Sequence, residues 1–389
     1  MTVISGDWFT APDTRAVCDM LTGAGHQALF VGGCVRNALL GVPVADVDIA
    51  TDARPERVIE LARAAGLDPV PTGIEHGTIT VVAGGIPHEV TTFRKDVETD
   101  GRRAVVAFSS RVEDDAHRRD FTMNALYATP DGAVVDPLGG GLADLRARRV
   151  RFIDDADQRI REDYLRILRY FRFHAHYGDA ARGMDREALS AIAEHAHGLD
   201  ALSSERITAE FLKLLAAPDP APALAAMRAC GVLTHILPGG DDTALAPLVH
   251  LEGDAPPDPL RRLAALGGEA AARLRLSKRQ ARRLANLREA AGSPDGPATL
   301  GYRHGEDTAR DILLIRAASL GQTLADTTLQ EARAGAAAIF PVAPADLMPA
   351  YRGKALGDRL KALEALWIAS GFTLTRDDLL SRSDDLPPL

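Results

Sequence analysis

Residues 30–51 read FVGGCVRNALLGVPVADVDIAT and contain a glycine pair, an arginine and two aspartates. The run HQALFVGG ends in Gly32 and Gly33, which predicts a strand and a tight turn into the short helix CVRNALLG. Glycines at such a turn let backbone N–H groups approach phosphate oxygens, and Arg36 adds a guanidinium. A glycine pair alone is weak evidence for such a site, but the aspartates that follow add metal ligands beside it.

The two aspartates, Asp46 and Asp48, alternate with the apolar residues Val47 and Ile49. On a strand, side chains two residues apart leave the same face, so both carboxylates could hold Mg²⁺. An isolated pair with this spacing is more often a turn or a helix cap, but the apolar alternation favours a metal-binding face. Glu89, on the predicted strand IPHEVTTFR, is the candidate third carboxylate of a two-metal site, with an exposed strand acid as the alternative.

Residues 118–127 read RRDFTMNALY and combine polar with apolar side chains. This pattern predicts a packed helix that holds its polar groups in place. Arg119 is a candidate phosphate ligand. Asp120 and Asn124 could either hydrogen-bond sugar hydroxyls or hold the arginines in place.

Composition limits the class of protein. The chain has 389 residues and a net charge of -9, which argues against a protein that coats nucleic acid non-specifically. No apolar run approaches the ~20 residues of a membrane helix, and the first residues lack the pattern of a secretion signal. We therefore expect a cytoplasmic protein with no membrane segment. Nothing in the pattern indicates an oligomeric state.

The distribution of strand and helix patterns predicts an α+β protein. Residues 1–148 mix short strand patterns with helices and form the predicted head, and helical patterns dominate afterwards. We divide the helical part into a neck, residues 149–235, and a body and tail that bind RNA, residues 236–389. Residues 261–290 hold nine arginines and lysines against two glutamates, which indicates either a phosphate-contacting face or a solvated helix surface.

In the neck, EDYLRILRYFRF places Asp163, Arg166, Arg169 and Arg172 at intervals of three residues. On one α-helix each would be rotated by about 60° from the one before, which gives a slanting stripe. The ordinary interpretation is an ion pair between side chains three residues apart and a favourable interaction with the helix dipole.

Six segments in order resemble class II tRNA nucleotidyltransferases, the CCA-adding enzymes, and the related bacterial poly(A) polymerases. These segments are GGCVRNALLG, DVDIAT, HEVTTFR, RRDFTMNAL, DPLGG and EDYLRILRYFRF. They lie between residues 28 and 175, and the weaker SSERITAEFLKLL extends the match to about 215. The resemblance implies a polymerase-β-like nucleotidyltransferase head with a mixed sheet.

The resemblance also implies roles for individual residues. Asp46 and Asp48 would ligate Mg²⁺, and Gly33, Arg36 and Arg119 would meet the triphosphate. Asp163 and Arg166 would hydrogen-bond the edge of the incoming base, and Arg169 and Arg172 would line the same pocket. Residues 93–110 resemble the mobile loop of the family. One departure is Asn37, where the family usually has an aspartate.

The implied activity is template-independent addition of C and A to the 3′ end of tRNA from CTP and ATP, with release of pyrophosphate. Three alternatives stay open at this point. The chain could be a poly(A) polymerase, could add only A or only C, or could be an inactive RNA-binding protein on the same fold.

Overall fold

The computed structural model describes residues 2–100 and 103–383, and the side chains of these except 96–100 and 103–106. The described chain forms two compact units. The first comprises residues 2–238 with 272–275, and the second comprises residues 239–271 with 276–383.

A seven-stranded mixed sheet in the order β3-β4-β5-β2-β1-β8-β9 lies in the first unit. The strands of the unit are β1 (Leu29–Val31), β2 (Asp48–Thr51), β3 (Asp68–Gly73), β4 (Thr78–Ala83), β5 (Ile86–Thr92), β6 (Arg94–Asp100), β7 (Arg103–Phe108), β8 (Tyr127–Ala128) and β9 (Val134–Val135). Strands β2 and β5 pair in parallel, and the other neighbours are antiparallel. The predicted α+β class with a mixed sheet is confirmed.

Alternation of buried and exposed residues orients the central strands. In β5, His88, Val90 and Thr92 are buried whereas Glu89 is exposed. In β4 the buried positions include Ile79, which is fully buried. Because successive side chains of a strand point to opposite faces, the sheet buries one set and leaves Glu89 on the other.

The first unit also contains twelve α-helices among its described residues. They are α1 (Asp7–Thr10), α2 (Pro12–Thr22), α3 (Gly33–Leu40), α4 (Pro55–Ala64), α5 (Val112–His117), α6 (Gly141–Arg146), α7 (Ala156–Glu162), α8 (Leu165–Tyr177), α9 (Arg186–His195), α10 (Ser204–Leu215), α11 (Ala221–Ala229) and α12 (Val232–Ile236). Of these, α2, α3 and α4 contact strands of the seven-stranded sheet. Four others contain the neck segments that were predicted as helices, α8 to α11.

Two predicted helices and a predicted loop differ from the structure. Residues 118–127 form a 3₁₀ turn, Thr122–Asn124, and the start of β8, because the Asp120 carboxylate binds the adjacent Phe121 N–H instead of a helical partner. EDYLRILRYFRF is not one helix: Asp163 is extended (φ -156°, ψ 105°) and its Oδ1 accepts the Leu165 N–H, which separates α7 from α8. The predicted mobile loop at 93–110 contains the paired strands β6 and β7, and its tip at 101–102 lies outside the described residues.

The described part of the second unit is helical, as predicted for the body. Following α12, the chain forms α13 (Leu245–Glu252), α14 (Pro259–Ala265), α15 (Ala270–Arg273), α16 (Lys278–Gly292), α17 (Pro297–His304), α18 (Glu306–Leu320), α19 (Asp326–Ala337), α20 (Gly353–Ala369) and α21 (Arg376–Ser381). Among the described helices, none combines the length and the hydropathy needed to cross a membrane.

The sequence predicts that the basic residues of 261–290 lie on the surface, against phosphates or solvent. This prediction is wrong for the first two, Arg261 and Arg262. Arg261 and Arg262 are 2% and 1% exposed, and both pair with the buried Glu252. Arg261 also pairs with Asp311. A charged side chain can be buried when a hydrogen-bonded group of opposite charge lies beside it. Glu252 and Asp311 are these groups, so both arginines can lie inside the unit.

Candidate active site

A pocket of ≈ 430 Å³ lies where the glycine turn faces α8. Its lining residues are Gly32, Gly33, Arg36, Asp48, Arg118, Arg119, Asp120, Asn124, Asp163, Arg166, Arg169, Arg172, Phe173 and Tyr177. The structure therefore brings together every predicted site residue except Asp46 and Glu89, which lie beside the pocket at the edge formed by Asp48.

The glycine turn leads directly from β1 into α3. Gly32 has a positive φ of 69°, a conformation that glycine adopts without strain. A Cβ at this position would lie 3.4 Å from Nη1 of Arg119, an ordinary contact, so the positive φ and not a lack of space is what favours glycine here. Helix α3 begins at Gly33, which lines the pocket. The positive end of the helix dipole and the backbone N–H groups of its first turn therefore lie at the pocket.

Three carboxylates lie near the start of β2, although among the described residues their oxygens do not gather within 4.8 Å of one another. Asp48 is the first residue of the strand and pairs in register with Glu89 of the parallel strand β5. Burial raises the pKa of the Asp48 carboxyl, as do the negative charges of Glu89 and Asp46, while Arg119 opposes the shift. Asp46 precedes the strand and is exposed, so the prediction that one strand carries both aspartates on the same face is wrong for Asp46, because β2 begins only at Asp48. Mutual repulsion between oxygen donors at one place is what a hard divalent cation relieves, so this donor set fits such an ion.

Arg119 is held by a buried carboxylate behind the glycine turn. Its Nη2 and Nε lie 2.8 and 3.2 Å from Oδ2 of Asp115, which is 1% exposed. Tyr127 donates its hydroxyl proton to the same oxygen over 2.7 Å, and Arg118 pairs with the other carboxylate oxygen. Burial alone would raise the pKa of Asp115, but the two arginines hold it far below its usual range.

Asp120 and Asn124 hold arginines, which is one of the two roles predicted for them. Oδ2 of Asp120 accepts from Nε of Arg169 over 2.7 Å, and its Oδ1 accepts from Nδ2 of Asn124 over 2.9 Å. Oδ1 of Asn124 in turn accepts from Nη1 of Arg36 over 2.5 Å. Nη2 of Arg36 donates to the hydroxyl of Tyr177 over 2.9 Å. A continuous hydrogen-bonded chain thus links the helix α8 arginine to the arginine of the glycine turn.

Aromatic rings and Glu210 fix the remaining arginines of α8. Glu210 is buried on α10, and its Oε2 lies 2.7 Å from Nε of Arg172. The Phe173 ring lies 4.9 Å from the Arg172 guanidinium and 5.3 Å from that of Arg169. Burial lowers the pKa of Arg172, and the Glu210 charge opposes this shift. These contacts hold planar cations against ring faces at the pocket wall.

Asp163 and Arg166 are positioned by different partners. Oδ2 of Asp163 accepts from Nη2 of Arg206 over 2.7 Å. Nη1 of Arg166 donates to Oε2 of Glu162 over 2.6 Å, and its Nη2 donates to the backbone oxygen of Arg118 over 3.1 Å. The alternative interpretation, an ion pair between Asp163 and Arg166, is wrong because each has another partner, and both side chains line the pocket.

Comparison with known proteins identifies the family. The profile of the poly A polymerase head domain matches residues 28–151, and that of the probable RNA and SrmB-binding site of polymerase A matches residues 183–243. The mitochondrial CCA tRNA nucleotidyltransferase 1 of Mus musculus is 34% identical over 391 residues, which covers 94% of this chain and 88% of the mouse protein. The chain belongs to the CCA tRNA nucleotidyltransferase family.

Other members of the CCA tRNA nucleotidyltransferase family are similar over different lengths. A CCA-adding enzyme of Streptococcus pyogenes is 44% identical over 220 residues, which covers 56% of this chain and 52% of that enzyme. The Bacillus stearothermophilus CCA-adding enzyme, solved in complex with CTP, has a TM-score of 0.74 and 28% identity and covers 96% of both chains. The resemblance found in the sequence motifs is confirmed.

In this member of the CCA tRNA nucleotidyltransferase family, several residues that support the site are not predicted from the sequence, and Asp115 behind Arg119 is one of them. Phe173 and Tyr177 follow Arg169 at intervals of four residues on α8, so helical spacing was the available signal. Arg206 and Glu210 show the same spacing on α10. Their partners lie far away along the chain, and the spacing alone does not identify them.

A second group of metal-ligand side chains lies away from these carboxylates. Atoms of Asp157, Glu194 and His195 lie within 4.8 Å of one another, and Nε2 of His195 is 3.0 Å from Oδ1 of Asp157. None of the three lines the pocket described above. The metal ligands predicted for this chain, Asp46 and Asp48, are a separate set.

Proposed function

We propose that this chain adds C and A nucleotides to the 3′ end of tRNA, taking them from CTP and ATP and releasing pyrophosphate. One observation carries the proposal: a single pocket holds the glycine turn, the Asp48 carboxylate and the Asp163 and Arg166 side chains. These are the parts needed to bind a triphosphate, a divalent cation and a base edge. The names of the similar proteins agree with this activity.

The triphosphate would lie against the glycine turn and the first N–H groups of α3. Arg36 supports this placement because it is 7% exposed and, within the described residues, its recorded hydrogen bonds go to the neutral Asn37, Asn124 and Tyr177. Burial lowers the pKa of its guanidinium. An anionic ligand nearby would offset the cost of burying this cation.

The base edge would be recognised by Asp163 and Arg166. An arginine has five N–H donors, and the hydrogen bonds recorded for Arg166 in the described chain use Nη1 twice and Nη2 once. Its Nε–H and one Nη2–H remain for a ligand. Each carboxylate oxygen of Asp163 accepts one recorded hydrogen bond, which leaves acceptor capacity for an amino group of cytosine or adenine.

Asp46 and Asp48 would hold Mg²⁺, with Glu89 as the third carboxylate. When bound, such an ion stabilises charge on the reacting phosphate and lowers the pKa of the attacking hydroxyl. The terminal hydroxyl of the RNA attacks the α-phosphorus in line, and the bond to the leaving pyrophosphate breaks. Arg36 and Arg119 stay on the phosphate side of the pocket through Asn124 and Asp115.

The three predicted segments would divide the work. The head, residues 1–148, would carry the catalytic carboxylates, and the neck, residues 149–235, would recognise the base. The body and tail, residues 236–389, would bind RNA. Lys278, Arg279 and Arg282 are exposed and line an open groove of ≈ 760 Å³ on α16, which suits contacts with the phosphates of a folded RNA. The proposed compartment is the cytoplasm, in agreement with three cysteines that are all unpaired.

Incorporation of labelled CTP and ATP into a tRNA that lacks its terminal CCA tests the activity. Changing Asp46 and Asp48 together to Ala should reduce incorporation to background while the melting temperature stays within a few degrees. Glu56→Ala with Glu60→Ala is the matched control, since both are exposed acids on α4 of the same unit. Full activity in the Asp46 and Asp48 double variant would refute the site.

Product length on the same tRNA separates the alternatives. Three added nucleotides with a clean stop support CCA addition, and one nucleotide type indicates an A-only or C-only enzyme. An open-ended A tract indicates a poly(A) polymerase, a candidate favoured by the matched head-domain profile. Binding of tRNA with no pyrophosphate release indicates an inactive RNA-binding protein.

A further inference from the structure

Asn37 makes contacts in two directions from helix α3. Its Oδ1 accepts from Nη2 of Arg36 over 2.9 Å and from Nε over 3.2 Å. Its Nδ2 donates to the backbone oxygen of Pro43 over 3.1 Å. The side chain therefore joins the guanidinium of the pocket to the segment that leads out of α3.

These contacts require an amide. The oxygen faces two N–H donors and the nitrogen faces a carbonyl oxygen, so the amide orientation follows from its neighbours. A carboxylate could still accept from Arg36. It would place an oxygen against the Pro43 carbonyl oxygen, where no proton is available for a hydrogen bond.

The segment that Asn37 holds leads to the catalytic carboxylates. Residues 42–47 connect α3 to β2, and most of them are exposed. Apart from the sheet pairing where the segment enters β2, its hydrogen bonds in the described chain go to Asn37: the Asn37 side chain binds Pro43, and the Asn37 backbone oxygen accepts from Val42 N–H. Asp46 is three residues beyond Pro43 and two residues before Asp48, so the hydrogen bond from Asn37 anchors one end of the short segment that carries Asp46 and the sheet anchors the other.

We propose that Asn37 is a positioning residue that sets the place of Asp46 relative to Asp48 and Glu89 through the hydrogen bond to Pro43. The inference rests on the proposed function, because it takes Asp46 as a ligand of the divalent ion. It assigns to the amide of Asn37 a task that a carboxylate at this position cannot perform. Arg36 and Asp46 are thereby held by one side chain.

Binding of Mn²⁺ to the full chain with CTP and without tRNA, followed by electron paramagnetic resonance, tests the proposal. Asn37→Asp and Asn37→Ala should each weaken Mn²⁺ binding by about tenfold, the lower end for supporting residues of metal sites. Val42→Ala on the same segment is the control, since its backbone hydrogen bond is kept, and it should bind Mn²⁺ like the wild type. Thermal melting checks that each variant is folded.

The Asp variant separates positioning from simple electrostatics. An added negative charge near a cation site would strengthen Mn²⁺ binding if charge alone mattered. If Asn37→Asp binds Mn²⁺ as tightly as the wild type or more tightly, the proposal is wrong. This includes the case in which only Asn37→Ala binds Mn²⁺ weakly, because the effect would then come from the lost contact with Arg36. Nucleotide incorporation by the wild type is measured separately: its absence would refute the proposed function, whereas the Mn²⁺ result still decides the role of Asn37.

Discussion

The buried arginines of the second unit, Arg261 and Arg262, differ from the buried Arg36 of the first unit in the groups that compensate their charge. In the second unit, Arg261 and Arg262 share Glu252, and Arg261 also binds Asp311. Their guanidinium groups are enclosed by protein carboxylates and are at most 2% exposed. In the first unit, Arg36 is almost as buried, but its recorded hydrogen bonds within the described chain go to neutral groups.

The difference distinguishes a structural cation from one placed for a ligand. Removing a guanidinium from water costs several kcal/mol, which carboxylates in the second unit offset. Around Arg36 the protein supplies hydrogen bonds without a directly bonded negative charge, so an anionic ligand has a cation left to bind. Burial alone does not separate these cases; the identity of the partner does.

The largest expected effect follows from breaking the fully compensated group. Glu252→Gln leaves Arg261 with Asp311 and Arg262 without the Glu252 carboxylate, and should lower the free energy of unfolding by about 3–5 kcal/mol. Urea unfolding followed by tryptophan fluorescence in a Trp8→Phe background measures this, because Trp367 is then the remaining tryptophan and is buried in the second unit. Glu306→Gln, at an exposed pair with Arg333, should change it by less than about 0.5 kcal/mol. Equal effects of the two changes would contradict this account.

A smaller effect is expected from the carboxylate behind the pocket arginines. Glu210→Gln removes the charge that pairs with Arg172, so this guanidinium loses its fixed position. We expect kcat/KM for CTP to fall by about tenfold, which is about 1.4 kcal/mol of transition-state stabilisation. Single-nucleotide incorporation measures it. Glu205→Gln, an exposed acid on the same helix, is the control, and a matching loss there would show that α10 is perturbed generally.

Local patterns predicted the parts of the site that depend on neighbours along the chain. The glycine turn at Gly32, the strand that starts at Asp48 and the placement of Glu89 on the next predicted strand pair all follow from short-range geometry. The positive φ of Gly32 and the alternation of faces along a strand are each encoded within a few residues.

Long-range partners account for what the sequence could not predict. Arg36 binds Tyr177, which is 141 residues away along the chain. The pattern of apolar residues around either one would be the same without this contact, so the pattern does not predict it. The basic stretch 261–290 was uninformative for a related reason: Arg261 is neutralised partly by Asp311, 50 residues on. The break between the two helices at Asp163 is not predicted from the sequence. It depends on the hydrogen bond from the Leu165 N–H to the Asp163 carboxylate, whereas the spacing of apolar residues continues through the break.

A third prediction concerns the arginines and lysines that no carboxylate encloses. Lys278→Ala with Arg282→Ala should weaken tRNA binding by about tenfold and reduce the slope of log affinity against log salt by roughly 0.7–0.9 for each phosphate that the variant no longer neutralises. Filter binding at several salt concentrations measures both. Arg57→Ala with Arg63→Ala, two exposed arginines on α4 in the first unit, is a control of equal charge outside the proposed RNA-binding segment. The same weakening in both double variants would indicate a net-charge effect rather than a specific interaction of α16 with the RNA.

The smallest expected effect concerns the thermal stability of the metal-free protein, which the ionised Asp48 carboxylate lowers. The pKa of Asp48 is raised in the folded protein, so the folded state binds more protons than the unfolded state between its two pKa values. Stability therefore falls as pH rises through that window, and the ionised carboxylate destabilises the metal-free fold at neutral pH. Asp48→Asn should raise the melting temperature of the metal-free protein by about 2 °C at pH 7.

The same difference should vanish below the usual carboxyl pKa of about 3.9, where Asp48 is protonated in both states. Glu89→Gln should give a smaller rise in the same direction, because it removes repulsion and leaves the burial of Asp48 unchanged. Adding Mg²⁺ should raise the melting temperature of the wild type more than that of Asp48→Asn, since a ligand stabilises the state that binds it. A lower melting temperature for metal-free Asp48→Asn would show that the carboxylate is a structural partner of Arg119 and not a charge held apart for a cation.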